Sequence, residues 1–179
     1  MDALLRDGEI HVGGDARQRF HDSRGYGRPL EGDSIALAPV EAAHLLYRGD
    51  IDSVSGQDFR EFLLASKPGF GLRFLVYLDL RDRGFYLSPA RENWVRTEGD
   101  SPSLSDLDFV VYPRGKGPGD GEIAYRITVV GERAEIAAPS LSPGILAVVD
   151  EEGDITYLEV SEFEPGGDTE FDPVETATG

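Results

Sequence analysis

The side chains that could move a proton or steady a phosphate are few and scattered. All three histidines, His11, His21 and His44, lie in the first quarter of the chain, and Lys67 and Lys116 are the only lysines. Cysteine is absent and the histidines lack metal-ligand spacing, so no metal site and no cofactor is expected. Tyr112 closes the run Asp108-Phe-Val-Val-Tyr112-Pro-Arg-Gly115, and no histidine follows it anywhere in the chain. Pro113 to Gly121 is rich in glycine and proline; without the strand-to-helix context of a phosphate cradle, it is expected to be a mobile connection. Asp150, Glu151, Glu152 and Asp154 surround Gly153, the pattern of an acidic hairpin turn whose glycine supplies the positive φ. Arg81, Arg83, Arg114 and Arg126 are candidates for phosphate contacts, although arginines in so acidic a chain more often pair with local carboxylates.

The elements that must position these groups follow from apolar spacing. Gly8 to Val12 reads as a strand, and Asp15 is expected to cap a helix from Ala16 to Ser23 that Arg24-Gly25 ends. The turn Gly25 to Leu30 leads to a strand at Ser34 to Leu37. Pro39 then starts a helix with Val40, Ala43, Leu46 and Tyr47 on one face and His44 bordering it. A helix is expected over Ser55 to Ser66, carrying Phe59, Phe62 and Leu63. Another carries the stripe Phe70, Phe74, Tyr77 and Leu78, with Gly84 as its stop. After Gly84 the period changes to that of strands: Phe85 to Leu87, Trp94 to Arg96, Phe109 to Tyr112, then Ile123 to Val130 with alternating apolar positions. An acidic break occupies Gly99 to Ser105, and a short helix is expected over Glu132 to Ala138. Ile145 to Val149 is a continuous apolar run, expected to be covered on both faces. Ile155 to Phe163 has apolar residues on both sides, Ile155 and Tyr157 on one and Leu158 and Val160 on the other. One of those faces must meet something beyond its own sheet. From Pro165 onward little can be buried, so a disordered tail or linker is expected.

The pattern predicts an α/β (α+β) protein. Residues 1–68 form a small mixed N-terminal subdomain, residues 69–165 a second α/β domain with a mixed sheet, and residues 166–179 an acidic tail. The formal charge is −17 and arginine supplies fifteen of the seventeen basic residues, all but the two lysines. Proteins of salt-saturated cytoplasm have this balance; at molar salt the Debye length is roughly 3 Å, so distributed carboxylates no longer repel a polyanion over distance. A nucleic-acid mimic is the rival explanation of the acidity. No apolar run approaches a membrane span and the first twenty residues lack a signal peptide's apolar centre, which predicts a soluble cytoplasmic protein.

Four segments, in order and spacing, resemble the archaeal tRNA-splicing endonuclease (tRNA-intron lyase) family. They are Arg24-Gly-Tyr-Gly-Arg-Pro-Leu30 with the Val40 to Gly49 helix, Phe74 to Tyr86, Asp108 to Gly115, and Ile145 to Val160. The resemblance implies metal-free RNA cleavage in which a tyrosine takes the 2′-hydroxyl proton, a histidine protonates the leaving oxygen and a lysine steadies the phosphate. Tyr112 matches the tyrosine. Counting from Tyr125 puts the histidine position near Glu122, and counting from Ile145 puts the lysine position near Ser142 or Pro143. Neither carries the needed group, so Tyr112 reads as a vestige in a core or interface position.

The chain therefore resembles the degenerate, structural first repeat of a tandem-repeat haloarchaeal enzyme. The implied partners are a catalytic repeat or subunit and, through it, precursor tRNA. The acidic turn Asp150, Glu151, Glu152 and Asp154 would insert into a basic groove of the catalytic repeat, and the final strand Ile155 to Phe163 would pair with a neighbouring repeat in an oligomer. Two readings compete: an active endoribonuclease with Tyr112 as base and Glu122 in place of histidine, and an interaction module unrelated to tRNA processing.

Overall fold

The structure is a computed structural model, described here for residues 3–90, 108–134 and 144–161, with 163 and 165. Two sheets and three α-helices share one buried apolar cluster, the α+β class expected.

The first sheet is wholly antiparallel, in the order β1 (Ala3–Arg6), β2 (Glu9–Val12), β4 (Ile35–Leu37), β3 (Arg28–Pro29). Its opening strand was not expected, yet the sequence signal was present. Asp7 and Gly8 both take positive φ, 52° and 79°, which makes Asp-Gly the two-residue turn of a hairpin. Between β2 and β3 lies a π-helix, Arg17–Asp22. Asp15 does not cap it with its side chain as expected. Ala16 holds the cap position, and Asp15 contributes its backbone carbonyl, which accepts from Arg19 N at 3.0 Å.

Helix α1 (Pro39–Arg48) starts on proline and ends on Gly49 in the left-handed conformation. Helix α2 spans Phe59–Ala65 and begins later than expected. Ser55 and Gly56 are held at positive φ, and the reciprocal cap between Asp58 and Glu61 fixes the helix start at Phe59. Helix α3 (Phe70–Asp82) packs on α1 on one side and on the second sheet on the other.

That second sheet runs β5 (Leu87–Pro89), β6 (Phe109–Val111), β7 (Tyr125–Gly131), β8 (Gly144–Val149), β9 (Ile155–Val160). All neighbours are antiparallel except β7 and β8, which are parallel, so the sheet is mixed as expected. Alternation sends Ile127, Ala147, Val149 and Tyr157 to the α3 side. Leu146 and Leu158, cross-strand partners, fall on the opposite face. Complete cover of β8 does not follow from its apolar run: only Ala147 and Val149 are fully buried. Pro113 to Gly121 is built from turns, closed by Lys116 N to Pro113 O and Asp120 N to Gly117 O. The expected strand Trp94 to Arg96, the break Gly99 to Ser105, most of the helix Glu132 to Ala138 and the tail 166–179 lie outside the described residues. Among the described residues no helix is long and apolar enough to cross a membrane.

Candidate functional site

Tyr112 follows β6 directly, and its backbone N–H donates to Tyr86 O, extending the ladder with β5 by one residue. Its ring is 0 % exposed and its hydroxyl donates to Ser88 Oγ at 2.8 Å. Burial pushes the phenol up to about 12, against a smaller lowering by the Ser88 hydrogen bond. A phenol that is both sealed from solvent and harder to ionise than free tyrosine makes a poor general base near neutral pH. Glu122 is exposed in the stretch before β7, and Tyr112 spends its proton on Ser88 instead. Ser88 escaped sequence reasoning; its only signal is a hydroxyl inside the apolar strand that pairs with β6. The lysine position near Ser142 or Pro143 lies outside the described residues.

The groups with acid–base potential converge elsewhere, where α1, α3 and the Arg24–Gly27 turn meet. Tyr26 Oη and His44 Nδ1 are 2.8 Å apart, and the His44 ring meets the Tyr77 ring edge-on with centroids at 5.4 Å. Arg81 donates from Nε and Nη2 to Tyr77 Oη at 3.1 and 3.0 Å and from Nη1 to Arg24 O at 2.6 Å. Its guanidinium carbon lies 3.8 Å from the Tyr26 ring centroid. Glu41, in the first turn of α1, accepts from Ala38 N at 3.0 Å and Gly27 N at 2.6 Å, and so bolts the helix start to the turn. Gly27 has to be glycine: φ is +68° and a Cβ would stand 2.6 Å from Ala36 O. His21 Nδ1 faces Tyr26 O and Gly27 O at 2.9 and 3.1 Å, which makes it the protonated nitrogen.

His44, expected at the border of its helix face, is therefore interior, 2 % exposed, because the Tyr26 hydroxyl satisfies it there. Burial lowers its pKa to about 4, with Arg81 and Arg48 adding to the shift. Burial raises Glu41 to about 7 against its two backbone hydrogen bonds and Arg81. A neutral imidazole, protonated phenols and a buried carboxyl held by two backbone N–H groups make a polar seam that holds two layers together.

Of the other arginines weighed for phosphate, Arg83 pairs with Asp79 at 2.8 Å, and Arg114 donates to Arg83 O while lying over the Phe85 ring. Arg126 Nε is buried with no partner among the described residues. The acidic turn joins β8 to β9. Asp150 Oδ1 accepts from Glu152 N and Asp154 N, both at 2.9 Å, and Gly153 has φ 86°. Glu151 pairs with Arg133 at 2.8 Å on an exposed surface. The carboxylates of Asp150, Glu152 and Asp154 stand within 4.8 Å of one another. Hard cations accept such donors, but Asp150 is already occupied by the turn, and exposed carboxylates crowd readily in a chain of this charge. Strand β9 is the last in its sheet, and Leu158 on it is 47 % exposed.

Comparison with known proteins gives this geometry its context. Residues 1–63 match the family model described as tRNA intron endonuclease, N-terminal domain. The tRNA-splicing endonuclease of Halobacterium salinarum is 55 % identical over 172 residues, covering 96 % of this chain and 48 % of that protein. That of Haloferax volcanii is 57 % identical over 167 residues, covering 93 % and 48 %, and that of Methanosarcina acetivorans 34 % over 185 residues, covering 94 % and 48 %. The chain spans about half the length of these curated relatives. The family match and these identities place it in one group: the chain belongs to the tRNA-splicing endonuclease family.

Proposed function

We propose that this chain is a structural, non-catalytic repeat or subunit of a tRNA-splicing endonuclease. The assembly would excise introns from precursor tRNA at bulge–helix–bulge motifs, leaving 2′,3′-cyclic phosphate and 5′-hydroxyl ends. The observation that carries this reading is the Tyr112 hydroxyl, buried and committed to Ser88. A catalytic tyrosine must reach the ribose hydroxyl it deprotonates. The chain's own interior histidine is committed to Tyr26.

The partner is a catalytic repeat, in the same polypeptide or another. Strand β9 offers it an edge that no strand among the described residues pairs and the exposed Leu158, and Glu152 and Asp154 offer it negative charge at a turn whose shape Asp150 fixes. On this reading residues 1–68 and 69–165 act as an N-terminal subdomain and a degenerate endonuclease domain.

The test is cleavage of a precursor-tRNA transcript at high salt. The purified chain alone is expected to leave it intact. Adding a repeat that carries tyrosine, histidine and lysine is expected to give cyclic-phosphate ends at a rate that Tyr112→Phe in this chain does not change. Cleavage by the chain alone, lost in Tyr112→Phe, would establish the rival reading of an active enzyme.

A further inference from the structure

The surface beside the polar seam runs against the charge of the whole molecule. In a chain with 34 acidic and 17 basic residues, three guanidiniums stand in a contiguous row there. Arg19 and Arg24 both lie over the ring of Phe20, their guanidinium carbons 5.2 and 5.1 Å from its centroid, and between them they roof a phenyl that is fully buried. Arg24 Nη1 and Arg48 Nε then share one oxygen, Asp50 Oδ2, at 3.0 Å each. Two cations thus share one carboxylate, and Arg19 adjoins them across the Phe20 ring. Asp22, exposed on the π-helix, is the other acid of that helix segment and leaves the row net positive.

The heads are positioned but not used up. Arg19 is exposed and its guanidinium has no carboxylate partner among the described residues; Arg48 spends Nε on Asp50 and its side chain is half exposed. Arg28, Arg73 and Arg83, by contrast, each pair with a carboxylate, of Glu9, Asp108 and Asp79 in turn. An aromatic ring, a shared carboxylate and the Arg19 carbonyl, to which Arg24 Nε points at 3.4 Å, restrict the row's side chains in advance. Less rotamer entropy then remains to be lost on binding.

We infer that Arg19, Arg24 and Arg48 form a docking row for the phosphate backbone of an RNA duplex, so that this chain contributes RNA contacts of its own from its N-terminal region. A guanidinium fork matches phosphate oxygens in pairs, and such contacts act at hydrogen-bond range. They are the kind that survives where salt screens everything beyond a few ångströms, and the surrounding carboxylates then cease to oppose RNA at a distance. The row takes backbone, not bases, so its contribution is independent of sequence. This inference rests on the proposed place of the chain in a tRNA-splicing assembly only for the identity of the RNA.

Fluorescence anisotropy of a labelled duplex carrying a bulge–helix–bulge tests it, with the full chain and its Arg19→Ala/Arg48→Ala variant. Both positions are exposed, and Arg24, which roofs Phe20, is left in place. From about 0.2 to about 1 M KCl the variant is expected to bind about tenfold more weakly, with a salt slope shallower by roughly 1.4–1.8, or about 0.7–0.9 per lost phosphate contact. Arg19→Lys/Arg48→Lys should fall between the two. Arg6→Ala/Arg60→Ala, which removes the same charge elsewhere, should bind as the wild type does. Equal affinity and slope in wild type and Arg19→Ala/Arg48→Ala overturns the inference. So does an equal loss in Arg6→Ala/Arg60→Ala, competition by poly-glutamate as strong as by RNA, or no measurable binding by the wild type. Gel-filtration assembly with a catalytic repeat is scored in parallel. Assembly with RNA binding indifferent to the row defeats the row alone; RNA binding through the row without assembly defeats the proposed function alone.

Discussion

The seam between α1 and α3 and the outer end of the second sheet solve opposite problems. At the seam, an imidazole, a carboxylate, a guanidinium and two phenols have all been drawn inside and matched with one another or with backbone. At the sheet's end, β9 leaves Leu158 in solvent and its outer edge without a strand among the described residues. The first region is closed by its own polar groups, while the second leaves an apolar side chain and a strand edge uncovered among the described residues. Residues that look catalytic by type can therefore be consumed in holding a fold, and the surface where such a molecule meets something else can be chemically plain.

The sharpest way to break this contrast is to remove the cation that joins the layers. Arg81→Ala strips the donors from Arg24 O and Tyr77 Oη and the cation from the Tyr26 face. With charge-assisted hydrogen bonds worth about 1.5–3 kcal/mol and a desolvated cation–π contact about 2, the expected loss is about 4 kcal/mol. Urea unfolding in high salt measures it, and the melting temperature should fall by about 10 °C. A loss under about 1 kcal/mol would mean that the seam is decoration and the layers are held by apolar packing alone.

The seam also carries two opposed pH terms. Glu41 is raised from 4.5 to about 7, so its stabilising share is complete below the unfolded value and is lost as pH rises towards 7. His44 is lowered from 6.5 to about 4, so its share is complete above 6.5 and is lost as pH falls towards 4. Between about pH 4.5 and 6.5 the two slopes cancel, and the wild-type stability profile of this region should be nearly flat. Glu41→Gln exposes the histidine and makes stability rise with pH across that window, by about 2–3 kcal/mol at 1.36 kcal/mol per pKa unit. His44→Gln exposes the carboxylate and makes it fall by a similar amount. Both variants tracking the wild type would show that neither group is held as the geometry implies.

Much of the scaffold could be read from residue type and spacing. Proline at the first turn and glycine after Arg48 bounded α1, and alternation located β7. Local chemistry was misjudged where long-range partners decide. His44 borders its helix face by helical spacing, and only Tyr26, eighteen residues away, makes its burial tolerable. Arg81 sits among polar positions of α3, and its role depends on carbonyls 56 and 57 residues distant. The hairpin of β1 and β2 is the reverse case, since its Asp-Gly turn is a local signal that apolar spacing alone does not register. For Tyr112, the absence of later histidines could be read directly, whereas its commitment to Ser88 required knowing that β5 pairs with β6.

That commitment predicts a smaller effect. Tyr112→Phe removes one buried hydrogen bond and leaves Ser88 Oγ without its donor, for a cost of about 1 kcal/mol. Ser88→Ala should cost a similar amount, and the double variant less than the two added together, because both delete the same bond. Strict additivity would place the tyrosine hydroxyl in some other interaction, and the case for a vestigial residue would weaken with it.

The smallest effect on the chain itself is expected at the open end. Leu158→Asp puts a charge on a side chain already 47 % exposed, on an edge strand whose core-facing partners Ile155 and Tyr157 are untouched. Surface changes of this kind stay within about 0.5 kcal/mol, so unfolding of the isolated chain should barely shift. Assembly should not be so tolerant. An aspartate on the apolar face beside a strand edge would have to be desolvated in any interface that covers it, at a cost of several kcal/mol, enough to weaken association by a factor of a hundred or more, roughly. Sedimentation of the variant with a catalytic repeat separates the two quantities. Unchanged stability with lost assembly places the interface on β9. Unchanged stability with intact assembly would leave the acidic turn as the candidate contact, which Glu152→Lys/Asp154→Lys would then have to break while Asp150, the residue that shapes the turn, stays in place.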